Sequence, residues 1–218
     1  MSETLTAVVL AAGQGRRMRS TKPKILHELG FRPLVGHVLA AADAAGADEV
    51  VLVTAPGMEP VAAYAEGQGM RVRIAVQDPP LGTGHAVMAA RDHLPAGGDV
   101  VVLFADTPFL EGPTIARLVR TRRDAGAAVA VLGMELDEPG AYGRLVERDG
   151  RLEAVVEAAQ ADDATLAIRL VNSGVMAFDA ARLPALLDAL EARTARDGNA
   201  EYYLTDVVEA ARAQGWEA

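Results

Sequence analysis

The chain has 218 residues, half of them hydrophobic, and its 30 acidic against 21 basic side chains give a net charge of −9. An acidic chain is a poor candidate for non-specific nucleic-acid binding, which needs a basic surface. The absence of cysteine excludes disulfides and thiolate metal sites. No apolar run approaches the roughly 20 residues that span a bilayer. The first residues also lack the basic start of a signal peptide, so the sequence predicts a cytoplasmic protein with one well-buried core.

Short apolar segments alternate with helical patterns through the first part of the chain. The apolar segments predict strands at residues 5–11, 49–54, 72–77, 99–105 and 127–134. Helical patterns fill the spaces between them, at residues 33–45, before residue 72, and at residues 85–93 and 111–125. Strands that alternate with helices predict an α/β fold with three α/β/α layers, a Rossmann-like and mainly parallel sheet covered on both faces.

The alternation of strand and helix patterns ends after Leu136. Two strand-like segments, residues 143–147 and 152–157, flank Asp149-Gly150, which is a strong hairpin signal. A further strand is predicted at residues 169–178, followed by helices near residues 180–192 and 203–213. We expect one domain over residues 1–218, in which residues 136–178 form a small β-hairpin lobe over one end of the sheet.

A glycine-containing loop follows the first predicted strand and carries Gly13 and Gly15. Five cations lie close together in and after this loop: Arg16, Arg17, Arg19, Lys22 and Lys24. Ligands of open α/β sheets sit outside the carboxyl ends of the strands, and glycines there let backbone amides approach phosphates. A local positive cluster on an acidic chain favours a small anionic ligand, although a tight turn with solvated charges would leave the same pattern.

Two familiar phosphate-binding motifs do not fit this loop. The dinucleotide fingerprint needs a third glycine, and Met18 stands at that position. A Walker A loop needs Gly-Lys-Ser or Gly-Lys-Thr, and the chain has neither in this loop.

Several further strings follow the loop in a fixed order. They are Gln77 with LGTGHA at 81–86, FADTP at 104–108, YGR at 142–144, VE at 156–157, NSG at 172–174 and EYYLTD at 201–206. Together with LAAGQGRRM and KPK, they resemble the signature of the nucleotide-diphospho-sugar transferases over the whole chain. LGTGHA and EYYLTD are most similar to the uridylyltransferase domains of the bifunctional branch, which joins N-acetylglucosamine-1-phosphate uridylyltransferase to glucosamine-1-phosphate acetyltransferase.

The resemblance implies a reaction between two small molecules, UTP and N-acetylglucosamine 1-phosphate, that gives UDP-N-acetylglucosamine and pyrophosphate. It implies Mg²⁺ as cofactor and no nucleic-acid or membrane partner. Asp106 ends the fourth predicted strand, at the same edge as the glycine loop, where a carboxylate can hold Mg²⁺; alternatively it caps the turn at Thr107-Pro108.

The resemblance also implies the roles of the other site residues. Arg17 and Lys24 would contact the phosphates and stabilise charge, because a sugar phosphate is already an anion and needs no strong general base. The residues implied to bind the nucleotide are Leu10, Ala11, Ala12, Gly13, Gln77, Gly82, Thr83, Phe104 and Ala105. Among them, Gln77 and the turn at Gly82-Thr83 would read uracil. The residues implied to hold the sugar are Gly143, Glu157 and Asn172. His85 lies within one of the strings, where it either packs locally or contacts a ligand.

The sequence departs from the family at four places. Gln14 stands where the family has a lysine, Ala105 where it has a glycine, and Ala159 where it commonly has a lysine. The fourth departure is that a later metal-binding asparagine and the hexapeptide repeats of a β-helix are missing, so we expect no acetyltransferase activity. These departures leave open a truncated or a stand-alone chain. They also leave open another sugar phosphate or nucleotide, and a catalytically weak module that only binds a nucleotide sugar.

Overall fold

An eight-stranded mixed sheet forms the centre of the molecule. The computed structural model describes residues 4–13, 15, 18, 20–198 and 201–218. The strands are β1 (Leu5–Leu10), β2 (Glu28–Leu29), β3 (Arg32–Pro33), β4 (Glu49–Thr54), β5 (Val72–Val76), β6 (Asp99–Phe104), β7 (Val129–Glu135), β8 (Arg144–Arg148), β9 (Arg151–Val156) and β10 (Leu170–Asp179). The helices are α1 (Leu34–Ala44), α2 (Glu59–Glu66), α3 (Thr83–Ala89), α4 (Gly112–Asp124), α5 (Asp163–Leu166), α6 (Leu183–Asp197) and α7 (Val207–Ala213).

Four parallel strands in the order β5-β4-β1-β6 make the first half of the sheet. Strand β10 then pairs with β6 in the antiparallel direction and continues the sheet to β7 and β8. Strands β1, β4 and β6 read as continuous apolar runs because they are buried on both faces of the sheet. The prediction of a mainly parallel sheet with helices on both faces is confirmed.

Two hydrophobic clusters cover the two faces of the sheet. Helices α1, α2 and α4 pack on one face, with Leu39 and Ile115 among the fully buried side chains. Helices α3, α6 and α7 pack on the other face, with Leu186 and Leu190 equally buried. Within the part of the chain that the structure describes, no helix is both long and apolar enough to cross a membrane.

Strands β8 and β9 form the hairpin that the sequence predicts at Asp149-Gly150. Both turn residues have left-handed backbone angles, φ 53° and 74°, which is the requirement of a two-residue turn between twisted strands. Strand β10 pairs with β7 through a register shift between Asn172 and Met176, which coincides with the predicted interruption at Asn172-Ser173-Gly174. That residues 136–178 act as one lobe stays a prediction.

A buried ionic cluster lies at the start of β6, at the end of the sheet opposite the carboxyl ends of the parallel strands. Asp99 is fully buried, and its two carboxylate oxygens accept hydrogen bonds from Arg122 Nε at 2.6 Å and Arg123 Nε at 2.5 Å. Arg122 also donates to the Ala127 carbonyl at 2.9 Å. The cluster therefore ties α4 and the segment after it to the sheet.

We expect Asp99→Asn to lower the free energy of unfolding by about 3 kcal/mol, because the buried Arg122 guanidinium loses the carboxylate 2.6 Å away and is left with the more distant Asp179, at 3.8 Å. Urea unfolding followed by circular dichroism measures this loss. The control is Asp188→Asn, which removes a solvent-exposed ion pair with Arg91 and should cost less than about 1 kcal/mol. Similar small losses in both variants would contradict a structural role for the cluster.

Candidate active site

A cavity of about 780 Å³ opens at the carboxyl ends of β1 and β6. The last residues of these two strands are register partners in the sheet, and both line the cavity. The predicted site residues that line it are Leu10, Ala11, Ala12, Gly13, Lys24, Gln77, Gly82, Thr83, Phe104 and Asp106. The structure thus brings together residues that lie almost a hundred positions apart in the sequence.

Lys24 and Asp106 form an ion pair on the cavity wall. Lys24 Nζ lies 2.5 Å from Asp106 Oδ2, and each side chain is a little over one third exposed. Lys24 begins a 3₁₀ turn, Lys24–Leu26, whose Ile25 is buried. A Cβ added at Gly15 would lie 2.6 Å from Lys24 Cβ, so the glycine loop packs directly against the lysine stem.

The turn after β6 does not use Asp106 as its cap. Thr107 closes that turn instead, since its hydroxyl donates to the Phe104 carbonyl at 2.8 Å. Asp106 Oδ2 accepts the Lys24 bond, and within the described residues its Oδ1 accepts no hydrogen bond. The carboxylate therefore faces the cavity with one oxygen available to a ligand.

Asp106 fits a magnesium site that substrate oxygens complete. Among the described residues there is no group of three acidic or histidine side chains that could enclose a metal ion. Mg²⁺ typically takes one or two carboxylates and fills its other positions with phosphate oxygens and water. A carboxylate that lines the cavity beside a glycine loop matches that donor set, whereas a metal held by protein ligands alone does not fit.

Gln77 and Gly82 form the cavity wall that the sequence predicts to read a base. Gln77 is 4 % exposed, and its Nε2 donates to the Gly82 carbonyl at 2.9 Å. Gly82 has φ 101° and ψ 177°, a backbone conformation that is essentially restricted to glycine. A Cβ there would lie 2.6 Å from the Tyr202 carbonyl oxygen.

Residues 201–206, which we name the strap, hold this turn in place. Tyr202 N donates to the Leu81 carbonyl at 2.8 Å, and the Tyr202 carbonyl accepts from Gly84 N at 2.8 Å. Thr83 Oγ1 accepts from Leu204 N at 3.1 Å. The first residue of the strap, Glu201, lines the cavity.

The charge of Glu201 also reaches its neighbour in the strap. The negative charge of Glu201 and its hydrogen bond raise the pKa of the Tyr203 phenol above its ordinary value. A phenol of ordinary pKa is already neutral at physiological pH, so this shift changes no charge there. Within the strap, Glu201 is the carboxylate that borders the cavity.

The three residues that the sequence predicts to hold a sugar lie beside one another. Asn172 N donates to the Gly143 carbonyl at 2.8 Å, and a Cβ at Gly143 would lie 3.4 Å from Glu157 Oε2. The strap reaches this group as well, because Thr205 Oγ1 donates to Glu157 Oε1 at 3.0 Å. Thr205 is 7 % exposed.

This group adjoins the cavity rather than lining it. Asn172 Oδ1 accepts from Gly174 N at 2.8 Å, which leaves the Asn172 amide nitrogen able to donate to a ligand. A Cβ at Gly174 would lie 2.7 Å from the Phe104 ring, and that ring lines the cavity. The contact between Gly174 and Phe104 therefore links the residues predicted to bind the sugar to those predicted to bind the nucleotide.

Two other predicted site residues, Arg17 and Ala105, are not among the described residues that line the cavity. Arg17 lies outside the described residues, so its predicted contact with phosphate stays a prediction. Ala105 is 1 % exposed and donates its N–H to the Leu10 carbonyl at 3.0 Å, so it supports the cavity wall from behind. The cavity is also lined by Gly15 of the predicted phosphate loop and by residues to which the sequence assigned no role: Met18, Ile25, Pro80, Ala86 and Glu201.

We expect Gly82→Ala to lower the free energy of unfolding by about 2 kcal/mol, since the new methyl group both strains the backbone and meets the strap. Thermal unfolding measures the effect. The control is Gly97→Ala, where an added Cβ meets nothing within 4 Å; equal behaviour of the two variants would contradict the packing described.

Comparison with known proteins identifies the family of the chain. The MobA-like NTP transferase domain matches residues 7–202. The chain is 46% identical over 216 residues to the bifunctional protein GlmU of Chelativorans sp. (strain BNC1), covering 98% of this chain and 47% of that protein. It is 48% identical over 209 residues to GlmU of Paracoccus denitrificans (strain Pd 1222), covering 95% of this chain and 45% of that protein. The chain thus spans about half the length of the curated relatives that it matches.

Solved structures share the fold at low sequence identity. UDP-glucose pyrophosphorylase complexed with UDP-glucose superposes with a TM-score of 0.80 at 16% identity, covering 99% of this chain and 89% of that chain. The apo form of UDP-glucose pyrophosphorylase gives a TM-score of 0.79 at 17% identity, covering 98% and 88%. The chain belongs to the family of MobA-like NTP transferase domains, which confirms the nucleotidyltransferase class predicted from its motifs.

Proposed function

We propose that the chain joins UTP and N-acetylglucosamine 1-phosphate to give UDP-N-acetylglucosamine and pyrophosphate. One observation carries the proposal: the glycine loop, the Lys24–Asp106 pair and the Gln77–Gly82 wall line one cavity. The group formed by Glu157 and Asn172 adjoins that cavity through Phe104 and Gly174. The size of the cavity, about 780 Å³, falls in the range of sites that enclose a small-molecule ligand.

In the proposed reaction, a phosphate oxygen of the sugar phosphate attacks the α-phosphorus of UTP. A new P–O bond forms, the bond between the α-phosphorus and the bridging oxygen breaks, and pyrophosphate leaves with that electron pair. The nucleophile is already an anion, so the protein need only align the reactants and stabilise negative charge. The site contains Lys24 for this task, and we assign Arg17 to the same task.

Lys24 has two suitable partners in this scheme. Its ammonium group donates to Asp106 in the structure, and it carries three N–H donors, so it can also donate to a phosphate oxygen. The ion pair keeps Lys24 on the cavity wall, where its positive charge can stabilise negative charge on the phosphates. Mg²⁺, when held by Asp106 and substrate oxygens, would neutralise charge on the phosphates and stabilise the leaving pyrophosphate.

The sugar half of the proposal depends on Glu157 and Asn172. The Thr205 hydroxyl donates a hydrogen bond to Glu157 Oε1, which leaves Oε2 to accept one from a sugar hydroxyl. The Asn172 amide nitrogen can donate to a hydroxyl or to the carbonyl of an acetamido group. The motif resemblance and the identity to the GlmU relatives support N-acetylglucosamine 1-phosphate as the sugar substrate.

One local feature favours a second candidate substrate. The 3₁₀ turn Ala158–Gln160 follows Glu157 directly and contains Ala159, where similar sequences commonly have a lysine. The loss of a cation this close to Glu157 would change how the sugar phosphate is held. A related sugar 1-phosphate is therefore the alternative acceptor.

The proposal is tested by measuring pyrophosphate release from the purified chain with Mg²⁺, UTP and N-acetylglucosamine 1-phosphate. Parallel reactions replace UTP by CTP, GTP or ATP, and the sugar by glucose 1-phosphate or galactose 1-phosphate. We expect release that is selective for UTP and for the N-acetylated sugar. Binding of UTP without release under any combination would reduce the chain to a nucleotide-binding module and overturn the proposal.

We expect Lys24→Ala and Asp106→Asn each to lower kcat by about 100-fold or more, as removal of a group that stabilises transition-state charge does. Arg17→Ala should have an effect of the same order. Asp106→Asn should also raise the Mg²⁺ concentration that gives half-maximal activity. The matched control is Lys22→Ala, an exposed lysine outside the cavity lining; a loss there equal to that in Lys24→Ala would contradict the assigned role.

We expect Glu157→Gln to raise the KM for the sugar phosphate by about tenfold, since a hydrogen bond to a charged group is worth about 1.5–3 kcal/mol. The KM for UTP should change little, because Glu157 lies outside the nucleotide cavity. Steady-state kinetics with each substrate varied in turn measures both values. The control is Glu147→Gln, an exposed carboxylate in strand β8 of the same hairpin. A selective rise in the KM for UTP would indicate that Glu157 binds UTP rather than the sugar phosphate, and would contradict its assigned role.

A further inference from the structure

The side-chain amide of Gln77 has two hydrogen-bond partners on its nitrogen. Gln77 Nε2 lies 2.9 Å from the Gly82 carbonyl oxygen and 3.3 Å from His85 Nδ1. Among the described residues, Gln77 Oε1 accepts no hydrogen bond, and Gln77 lines the main cavity. The oxygen is therefore the polar atom of this amide that is left for a ligand.

These two contacts determine which atoms donate. An amide nitrogen carries two hydrogens and does not accept hydrogen bonds, so it donates in both contacts. His85 Nδ1 must then be the unprotonated acceptor of the imidazole, with the ring hydrogen on Nε2. Turning the amide over would place its oxygen against the Gly82 carbonyl oxygen, and two acceptors repel each other.

His85 itself is held in place by its surroundings. The Tyr202 ring of the strap packs against the imidazole with 5.7 Å between ring centroids. His85 also borders a smaller cavity, whose charged lining residues are Asp78, Arg91 and Glu191. The contact with Tyr202 thus supports the position of the imidazole whose Nδ1 faces Gln77 Nε2.

We propose that His85 is a positioning residue for base selection, because it occupies the second N–H of Gln77 and leaves only an acceptor facing the base. This inference rests on the proposed function, in which Gln77 contacts the nucleobase. The Gly82 bond alone disfavours the flipped amide but lets the planar group tilt about that bond, which moves both the oxygen and the second N–H; the His85 contact holds the plane. With both bonds made, the amide presents its oxygen only.

An acceptor facing the base distinguishes uracil from cytosine. Uracil has a donor at N3, which the Gln77 oxygen can accept, whereas cytosine has an acceptor at N3, which the oxygen repels. Thymine presents the same N3–H group as uracil. His85 therefore sets the preference for UTP over CTP and leaves the ratio between UTP and dTTP unchanged.

The test compares two substitutions at His85. His85→Leu removes the acceptor at similar volume, whereas His85→Asn places an amide oxygen, again an acceptor, close to the position of Nδ1. The purified full chain is assayed for kcat/KM with UTP, CTP and dTTP at a fixed concentration of N-acetylglucosamine 1-phosphate. Dissociation constants for the same three nucleotides are measured by calorimetry.

We expect His85→Leu to lower the ratio of UTP to CTP by about tenfold, through the KM values rather than kcat, while the ratio of UTP to dTTP stays constant. His85→Asn should recover most of the UTP preference. An unchanged ratio in His85→Leu, or equal losses in both variants, would overturn the proposal in favour of simple packing. If turnover is absent, the calorimetric ratios decide the inference independently of the proposed reaction.

A measurement on the unaltered chain keeps the inference testable if His85→Leu does not fold. Nitrogen-15 NMR of the imidazole reports which ring nitrogen carries the hydrogen in the neutral form. The proposal requires the hydrogen on Nε2 and an unprotonated Nδ1. A hydrogen on Nδ1 would overturn it, because Gln77 Nε2 could not then donate to that atom.

Discussion

The geometry of the candidate site depends on two backbone hydrogen bonds made by Tyr202. Its N–H and its carbonyl bind Leu81 and Gly84, on either side of the turn that carries Gly82. Backbone bonds of this kind fix main-chain position whatever the side chains do, and Gly82 allows the strap close enough to make them. The same strap continues to Thr205 and Glu157. One short segment therefore sets the spacing between the main cavity and the proposed sugar group.

Residues of opposite charge occupy the other end of the cavity. The glycine loop packs on Lys24, and Lys24 forms an ion pair with Asp106. Asp106 lies just after the carboxyl end of the central strand β6. Because β1 and β6 are parallel neighbours, their carboxyl ends present the loop and the carboxylate at one place. The ionic cluster of Asp99 lies at the opposite end of β6, so it stabilises the sheet without entering the site.

Much of the sheet could be predicted from the sequence because buried parallel strands leave a strong local signal. Strands β1, β4 and β6 are continuous apolar runs, and the hairpin turn at Asp149-Gly150 has the residues that its backbone angles require. Contacts between distant residues leave no such signal. The Lys24–Asp106 pair, the position of Glu201 and the bond from Thr205 to Glu157 arise only after folding. The short hairpin β2–β3 also escaped prediction, since two-residue strands are too short to show periodicity.

The most direct test of this account is a crystal structure of the chain with UDP-N-acetylglucosamine and Mg²⁺. The account predicts the uracil N3–H on Gln77 Oε1, the metal on Asp106, and the sugar ring between Glu157 and Asn172, with the strap unmoved. A nucleotide bound with its base away from Gln77, or a sugar that does not reach Glu157, would contradict it.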